Sequence, residues 1–147
     1  MFRKILVPTD GSELSTAAAT AAIKLAEENG ASVFVLNVQP TYQPPLVAEV
    51  PVADYFSKDE YDKSAMAVGT RVVEAVQAKA KAASVPSHAL VRLDPSPWEA
   101  IIRTAREEGC DLIFMASHGR RGMAGLLLGS ETQKVLTHCK IPVLVYR

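Results

Sequence analysis

Apolar residues in this chain come in short unbroken runs, separated by longer stretches in which they return every three or four positions. The runs are Ile5-Leu6-Val7, Val33-Phe34-Val35-Leu36 with Asn37-Val38, Ala89-Leu90-Val91, Leu112-Ile113-Phe114-Met115-Ala116 and Pro142-Val143-Leu144-Val145-Tyr146. Unbroken runs of this length fit strands covered on both faces, as in a parallel sheet. Leu14, Ala18, Ala21 and Leu25 make one face of a first helix, which Gly30 closes. Ser57 and Glu60 spell a capping box, and Val68, Val72 and Val76 carry a helix over 58–84 until Pro86 stops it. Ser96, Pro97 and Glu99 open a third helix, with Trp98, Ile101, Ile102 and Ala105 facing inward and Gly109 at its end. Ser130 and Gln133 form another box, opening a helix to about His138. The order β-α-β-α-β-α-β-α-β predicts a parallel sheet with helices on both faces and right-handed crossovers.

Residues 39–56 break the pattern. They hold four prolines and no period. A connection this long is either a functional lid or a passive surface loop.

A length of 147 residues fits one domain, spanning 1–147. Sixteen basic residues balance sixteen acidic ones, which argues against a dedicated nucleic-acid binder. Cys110 and Cys139 make neither a metal spacing nor a redox pair, so two reduced thiols are expected. The N-terminus has only three apolar residues in a row before Pro8, too few for a signal peptide. The longest uncharged run, Asn29 to Ala48, is interrupted by prolines and amides and makes a poor membrane span. A soluble, cytoplasmic protein with no membrane or nucleic-acid partner is the expectation.

In an open parallel sheet, ligands bind beyond the carboxyl ends of the strands, where strand order reverses. The first strand ends in Pro8-Thr9-Asp10-Gly11-Ser12 and the fourth in Ser117-His118-Gly119. If these strands are neighbours, both segments line one crevice, with Met115 ending its strand beside it. Asp10 either accepts hydrogen bonds from ribose hydroxyls or caps the first helix. Ser12 is also able to cap, which favours the ligand role. Gly119, Gly122, Gly125 and Gly129 permit close backbone approach, and Gly129-Ser130 runs straight into a helix N-terminus, a ready anion site. His118, Arg120 and Arg121 add donors. The alternative is a surface loop with solvated arginines. No P-loop, dinucleotide fingerprint or nucleophile elbow is present, and His88, His118 and His138 lack metal-ligand spacing.

The opening Lys4-Ile5-Leu6-Val7-Pro8-Thr9-Asp10-Gly11-Ser12, the strand ending Asn37-Val38, the stretch Ala116-Ser117-His118-Gly119 followed by nine residues and Gly129-Ser130, and the closing residues 140–147 together resemble the universal stress protein family. The resemblance covers the whole chain. It implies a Rossmann-like α/β fold with a five-stranded parallel sheet of order 3-2-1-4-5, and a homodimer through Val143, Leu144 and Val145. The family's nucleotide-binding branch carries G-x-x-G, nine residues, then G-[ST]. Here Ala116 stands at the first glycine position, a departure that adds one methyl beside the ligand path. By this resemblance Pro8, Thr9 and Asp10 hold adenosine and Val38 contacts adenine. Ala116, Gly119, Gly129, Ser130 and Glu131 surround the phosphates, Glu131 by its backbone N–H with its carboxylate pointing away. Met115, His118 and Arg120 join the candidates from their place beside the crevice. The implied ligand is ATP or a related adenine nucleotide, with Mg or Mn carried on the phosphates rather than by a protein metal site. The implied function is a stress-response regulatory or interaction module with an unidentified protein partner. The alternatives are a slow Mg- or Mn-dependent ATPase and a member that binds no nucleotide. No catalytic base is evident, so at most weak ATP hydrolysis is expected.

Overall fold

The structure is a computed structural model describing residues 1–44, 57–120, 122, 125 and 127–147. Most of the proline-rich connection, and with it the choice between lid and passive loop, lies outside the described residues, as do Arg121 and three others of the glycine-rich loop. Among the described residues, nine elements follow in the expected order. They are β1 (Lys4–Pro8), α1 (Glu13–Asn29), β2 (Ser32–Gln39), α2 (Lys58–Ala82), β3 (Ser87–Leu93), α3 (Pro97–Glu107), β4 (Leu112–Ala116), α4 (Ser130–His138) and β5 (Val143–Tyr146). The strands form one parallel sheet in the order β3-β2-β1-β4-β5. β1 and β4 are neighbours, paired from Ile5 with Leu112, so the strand order reverses between them. Among the described residues, no helix is long and apolar enough to cross a membrane.

Side chains alternate along each strand, and the core divides accordingly. Ile5, Val7, Val33, Val35, Leu112 and Phe114 face α1 and α2, where Ala18, Ala22, Ala26, Val73 and Val76 meet them. Alanines along α1 let the helix lie close to the sheet. Leu6, Phe34, Leu36, Ile113 and Met115 face the other way, toward Ile101 and Ala105 of α3 and Val135 of α4. The edge strands β3 and β5 are only partly covered, and β3 extends further than its apolar run predicts because Val33 through Gln39 offer it a full ladder.

The helix ends agree with the sequence for the first two helices and differ for the last two. Ser12 Oγ accepts from Ser15 N, and the Ser57–Glu60 box is complete on both sides. At α3, Ser96 occupies the cap position without a side-chain bond, and Glu99 closes no box. The orphan donors go elsewhere: Ser96 N–H to Asp94 Oδ1 at 2.8 Å, and Trp98 N–H to Glu131 Oε2 at 2.9 Å. At α4 the cap is Gly129 and Ser130 is already helical, while Gln133 Nε2 donates to the Leu128 carbonyl. At α3 a tertiary acceptor, Glu131, meets a first-turn N–H that the local side chains leave unbonded. At α4 the expected box is absent because Ser130 already lies inside the helix and Gln133 turns back to the Leu128 carbonyl.

Cys110 is buried in the α3–α4 side of the core. Burial, with the Glu108 carboxylate nearby, pushes its thiol up to about 11. Only the thiolate reacts, so alkylation at pH 8 is expected to spare Cys110 in the native protein and to label it once the chain is denatured. Peptide mapping after iodoacetamide treatment checks this; native labelling at the denatured rate contradicts it.

Candidate functional site

β1 and β4 end side by side, and the two segments leaving them fold over one another. Thr9 N–H still donates to the Leu36 carbonyl at 2.9 Å, so the chain leaves the sheet only after Thr9. Thr9 Oγ1 lies 3.0 Å from Ser15 Oγ and accepts from Gly11 N–H at 3.2 Å. Gly11 has φ +78°, a conformation that L side chains rarely adopt. This turn presents Asp10 between the two strand ends.

The Asp10 carboxylate has a double engagement. Oδ1 accepts from Ser12 N–H at 2.9 Å and Oδ2 from Arg120 N–H at 2.8 Å. The first bond steadies the entry to α1; the second ties the start of the glycine-rich loop to the end of β1. Gly119 makes the tie possible, because a Cβ there would collide with Asp10 Oδ2. Burial works to raise the Asp10 pKa, but hydrogen bonds from Ser12, Arg120 and Ser15 outweigh it and hold the carboxyl below the usual 3.8. A carboxylate with a depressed folded pKa stabilises the fold above its unfolded value, and this contribution disappears as pH falls through the folded one. Asp10→Asn is therefore expected to melt a few degrees lower than wild type at pH 7, with the gap closing below pH 3.8. Thermal melts between pH 7 and pH 3 test it; a gap independent of pH removes the assignment.

The far end of the loop is equally confined. Gly129 N–H donates to the Ser117 carbonyl at 2.7 Å, and a Cβ on Gly129 would stand 3.3 Å from that oxygen and from His118 Cα. A side chain here would have to push these neighbours aside by a few tenths of an ångström. His118 Nδ1 lies 3.2 Å from Ser117 Oγ. Thr132 Oγ1 donates to the Ala116 carbonyl at 3.1 Å, fixing the first turn of α4 to the end of β4. Ala116 has no positive φ, so alanine at this position is unstrained. Ser130, Glu131 and Thr132 start α4, where backbone N–H groups have no partner within the helix.

The remaining candidates divide by what they face. Pro8 is half-buried at the tip of β1. Met115 is 5% exposed inside the core, so only its backbone is available at the crevice. The Glu131 carboxylate is turned to the N-terminus of α3 and to Lys134, 3.5 Å away. Val38 is half-buried, one residue from the end of β2. Strand residues alternate between their two neighbours in the sheet. Ser32 N–H donates toward β1 and Val33 N–H toward β3, so the even-numbered Val38 directs its N–H and carbonyl to the β1 side. β1 has ended by then. Among the described residues no group of three His, Cys, Asp or Glu is placed to hold a metal ion.

Sequence reasoning passed over three contributors. Asn37, Thr132 and Gly69 shape the site, and only Asn37 carried a signal, being an amide within an apolar strand.

A family model described as the universal stress protein family matches residues 1–147. A universal stress protein of Thermus aquaticus is 34% identical over 148 residues, covering 100% of both chains. A universal stress protein solved in complex with cAMP has a TM-score of 0.70 at 22% identity, covering 99% of this chain and 97% of the other. The universal stress protein from Archaeoglobus fulgidus in complex with dAMP has a TM-score of 0.73 at 14% identity, covering 99% and 98%. At those identities the two structures establish a shared fold.

Proposed function

The chain belongs to the universal stress protein family, and on that premise we propose that it binds an adenine nucleotide in the β1–β4 crevice and acts as a dimeric regulatory or interaction module. The observation that carries the reading is the Asp10–Arg120 tie, which brings the proposed adenosine-binding and phosphate-binding segments to one place. Ribose hydroxyls would bond the Asp10 carboxylate in place of one of its present donors. The backbone of Val38 offers a donor and an acceptor on one side, complementary to the N1 acceptor and N6 donor of adenine. The α4 N-terminus supplies N–H groups and a positive dipole end for phosphate. That the same fold holds adenine nucleotides in two other proteins supports this choice of ligand.

ATP is the proposed form, with ADP and AMP as shorter versions of the same ligand, and Mg or Mn riding on the phosphates. Efficient hydrolysis needs a base to orient water. Asp10 is committed to two N–H donors and Glu131 to α3, which supports a binding role over turnover. The chain as one cytoplasmic domain is part of the same proposal.

Calorimetric titration tests it. Asp10→Ala is expected to weaken AMP and ATP by about 1–3 kcal/mol, the scale of a hydrogen bond to a charged group. Gly129→Val is expected to weaken ATP more than AMP, by displacing the junction of loop and α4. Unchanged affinities for both variants overturn the site.

A further inference from the structure

Asn37 is 2% exposed, near the C-terminal end of β2. A buried amide needs its hydrogen bonds, since leaving one unmade costs about 1–3 kcal/mol. Both ends are bonded. Asn37 Nδ2 donates to the Thr9 carbonyl at 2.9 Å, and Asn37 Oδ1 accepts from Gln39 Nε2 at 2.8 Å. Gln39 therefore orients the amide so that its NH2 faces Thr9. Gly69 of α2 leaves the room: a Cβ there would stand 2.8 Å from Asn37 Oδ1 and collide with Val91.

The Thr9 carbonyl is the last acceptor that β1 turns toward β2. Thr9 N–H donates to the Leu36 carbonyl in register. In a regular parallel ladder the same residue's carbonyl would then accept from the N–H two positions further along the partner strand, which is Val38. That bond is not formed, and the β1–β2 pairing stops at Pro8 with Leu36. The Asn37 side chain takes its place. The next regular donor, Gly11 N–H, would reach the Val38 carbonyl, but it is committed to Thr9 Oγ1. Among the described residues, neither the Val38 N–H nor its carbonyl has a partner on the β1 side.

We infer that Asn37 is a positioning residue that captures the Thr9 carbonyl and so keeps the backbone edge of Val38 open for a nucleobase. Without it the ladder would close by one more bond, and the Val38 N–H would be spent inside the sheet. The ligand half of this inference rests on the nucleotide reading; the backbone half does not. The open edge presents N–H and carbonyl together. It therefore selects a base with an acceptor beside a donor, as adenine has at N1 and N6, over hypoxanthine, where the two are reversed.

The test is amide exchange by NMR on the full ligand-free chain, with wild type, Asn37→Ala and Asn37→Leu. In wild type the Val38 N–H is expected to exchange much faster than that of Leu36. In both variants it should become protected, with a through-bond coupling from Val38 N to the Thr9 carbonyl carbon. In parallel, AMP affinity should fall roughly tenfold, the equivalent of one hydrogen bond. Preference for AMP over IMP should shrink, and affinity for inorganic tripolyphosphate should stay unchanged. A Val38 amide as protected as Leu36 in wild type overturns the inference, and this measurement needs no variant to fold. A Val38 amide that stays unprotected in both folded variants overturns it as well. If wild type binds neither AMP nor ATP, the nucleotide reading falls, and the exchange pattern alone decides whether Asn37 holds the edge open.

Discussion

Leu144→Lys is expected to turn a dimer into a monomer at micromolar concentration. β5 lies at one edge of the sheet, paired on one side with β4 from Ile113↔Val143 to Ala116↔Tyr146 and, among the described residues, without a partner strand on the other. Its four residues, Val143 to Tyr146, include no lysine or proline to discourage pairing. Leu144 is 37% exposed. Two-fold symmetry lets one such edge meet itself, the two copies of β5 running antiparallel. A lysine at Leu144 would then bring two like charges to the axis. A buried charge left without a partner costs about 3–5 kcal/mol, more than a hundredfold in dimer affinity. Sedimentation of wild type and variant decides it. A monomeric wild type removes the proposed dimer, and a variant dimer of undiminished strength removes Leu144 from its centre.

The second large effect is on stability. Ile113→Ala is expected to cost about 2–5 kcal/mol, the range for deleting a buried aliphatic side chain that cannot be replaced by collapse. Ile113 is fully buried in β4, between β1 and β5, and faces α3 and α4 beside Leu6 and Val135. A central strand flanked by others has little freedom to move inward, so the upper half of the range applies. Leu144→Ala, at the edge, should cost far less. Chemical denaturation of both variants measures the contrast; equal losses would mean that β5 is as deeply packed as β4. Such a result would also weaken the case for an open edge.

The two variants separate what the sequence shows easily from what it conceals. Ile113 sits in the longest apolar strand run, and its burial is readable from that run alone. The family resemblance, carried by motifs at both ends of the chain, also implied the strand order that the structure has. Val143 and Leu144 share the edge strand but point to opposite faces: Val143 packs on the α3–α4 side and Leu144 stays exposed, and how far each face of an edge strand is covered no local pattern reports. The candidate site was legible in the same partial way. Asp10 and the 116–130 stretch stood out by residue type. The role of each glycine did not: Gly119 is needed beside Asp10, and Gly129 packs closely against Ser117 and His118, contacts internal to the protein.

The sequence by itself determined the succession of strands and helices and the caps of α1 and α2, because each depends on residues within a turn or two of one another. The inner faces of the two helices it placed a position off, with Val68 exposed and Val73 buried in α2, and Ala22 and Ala26 more deeply buried than Ala21 and Leu25 in α1. Periodicity and an i to i+3 hydrogen bond are short-range properties, present before the chain has any global shape. The tertiary structure decided the rest. Trp98 N–H meets Glu131 across 33 positions, Asn37 meets Thr9 across 28, and Arg120 N–H meets Asp10 across 110. Each of these bonds joins groups that are far apart in the chain and adjacent only once β1 stands between β2 and β4. A buried donor takes whichever acceptor the assembled fold puts within reach, and at this site that choice belongs to strand order rather than to local sequence.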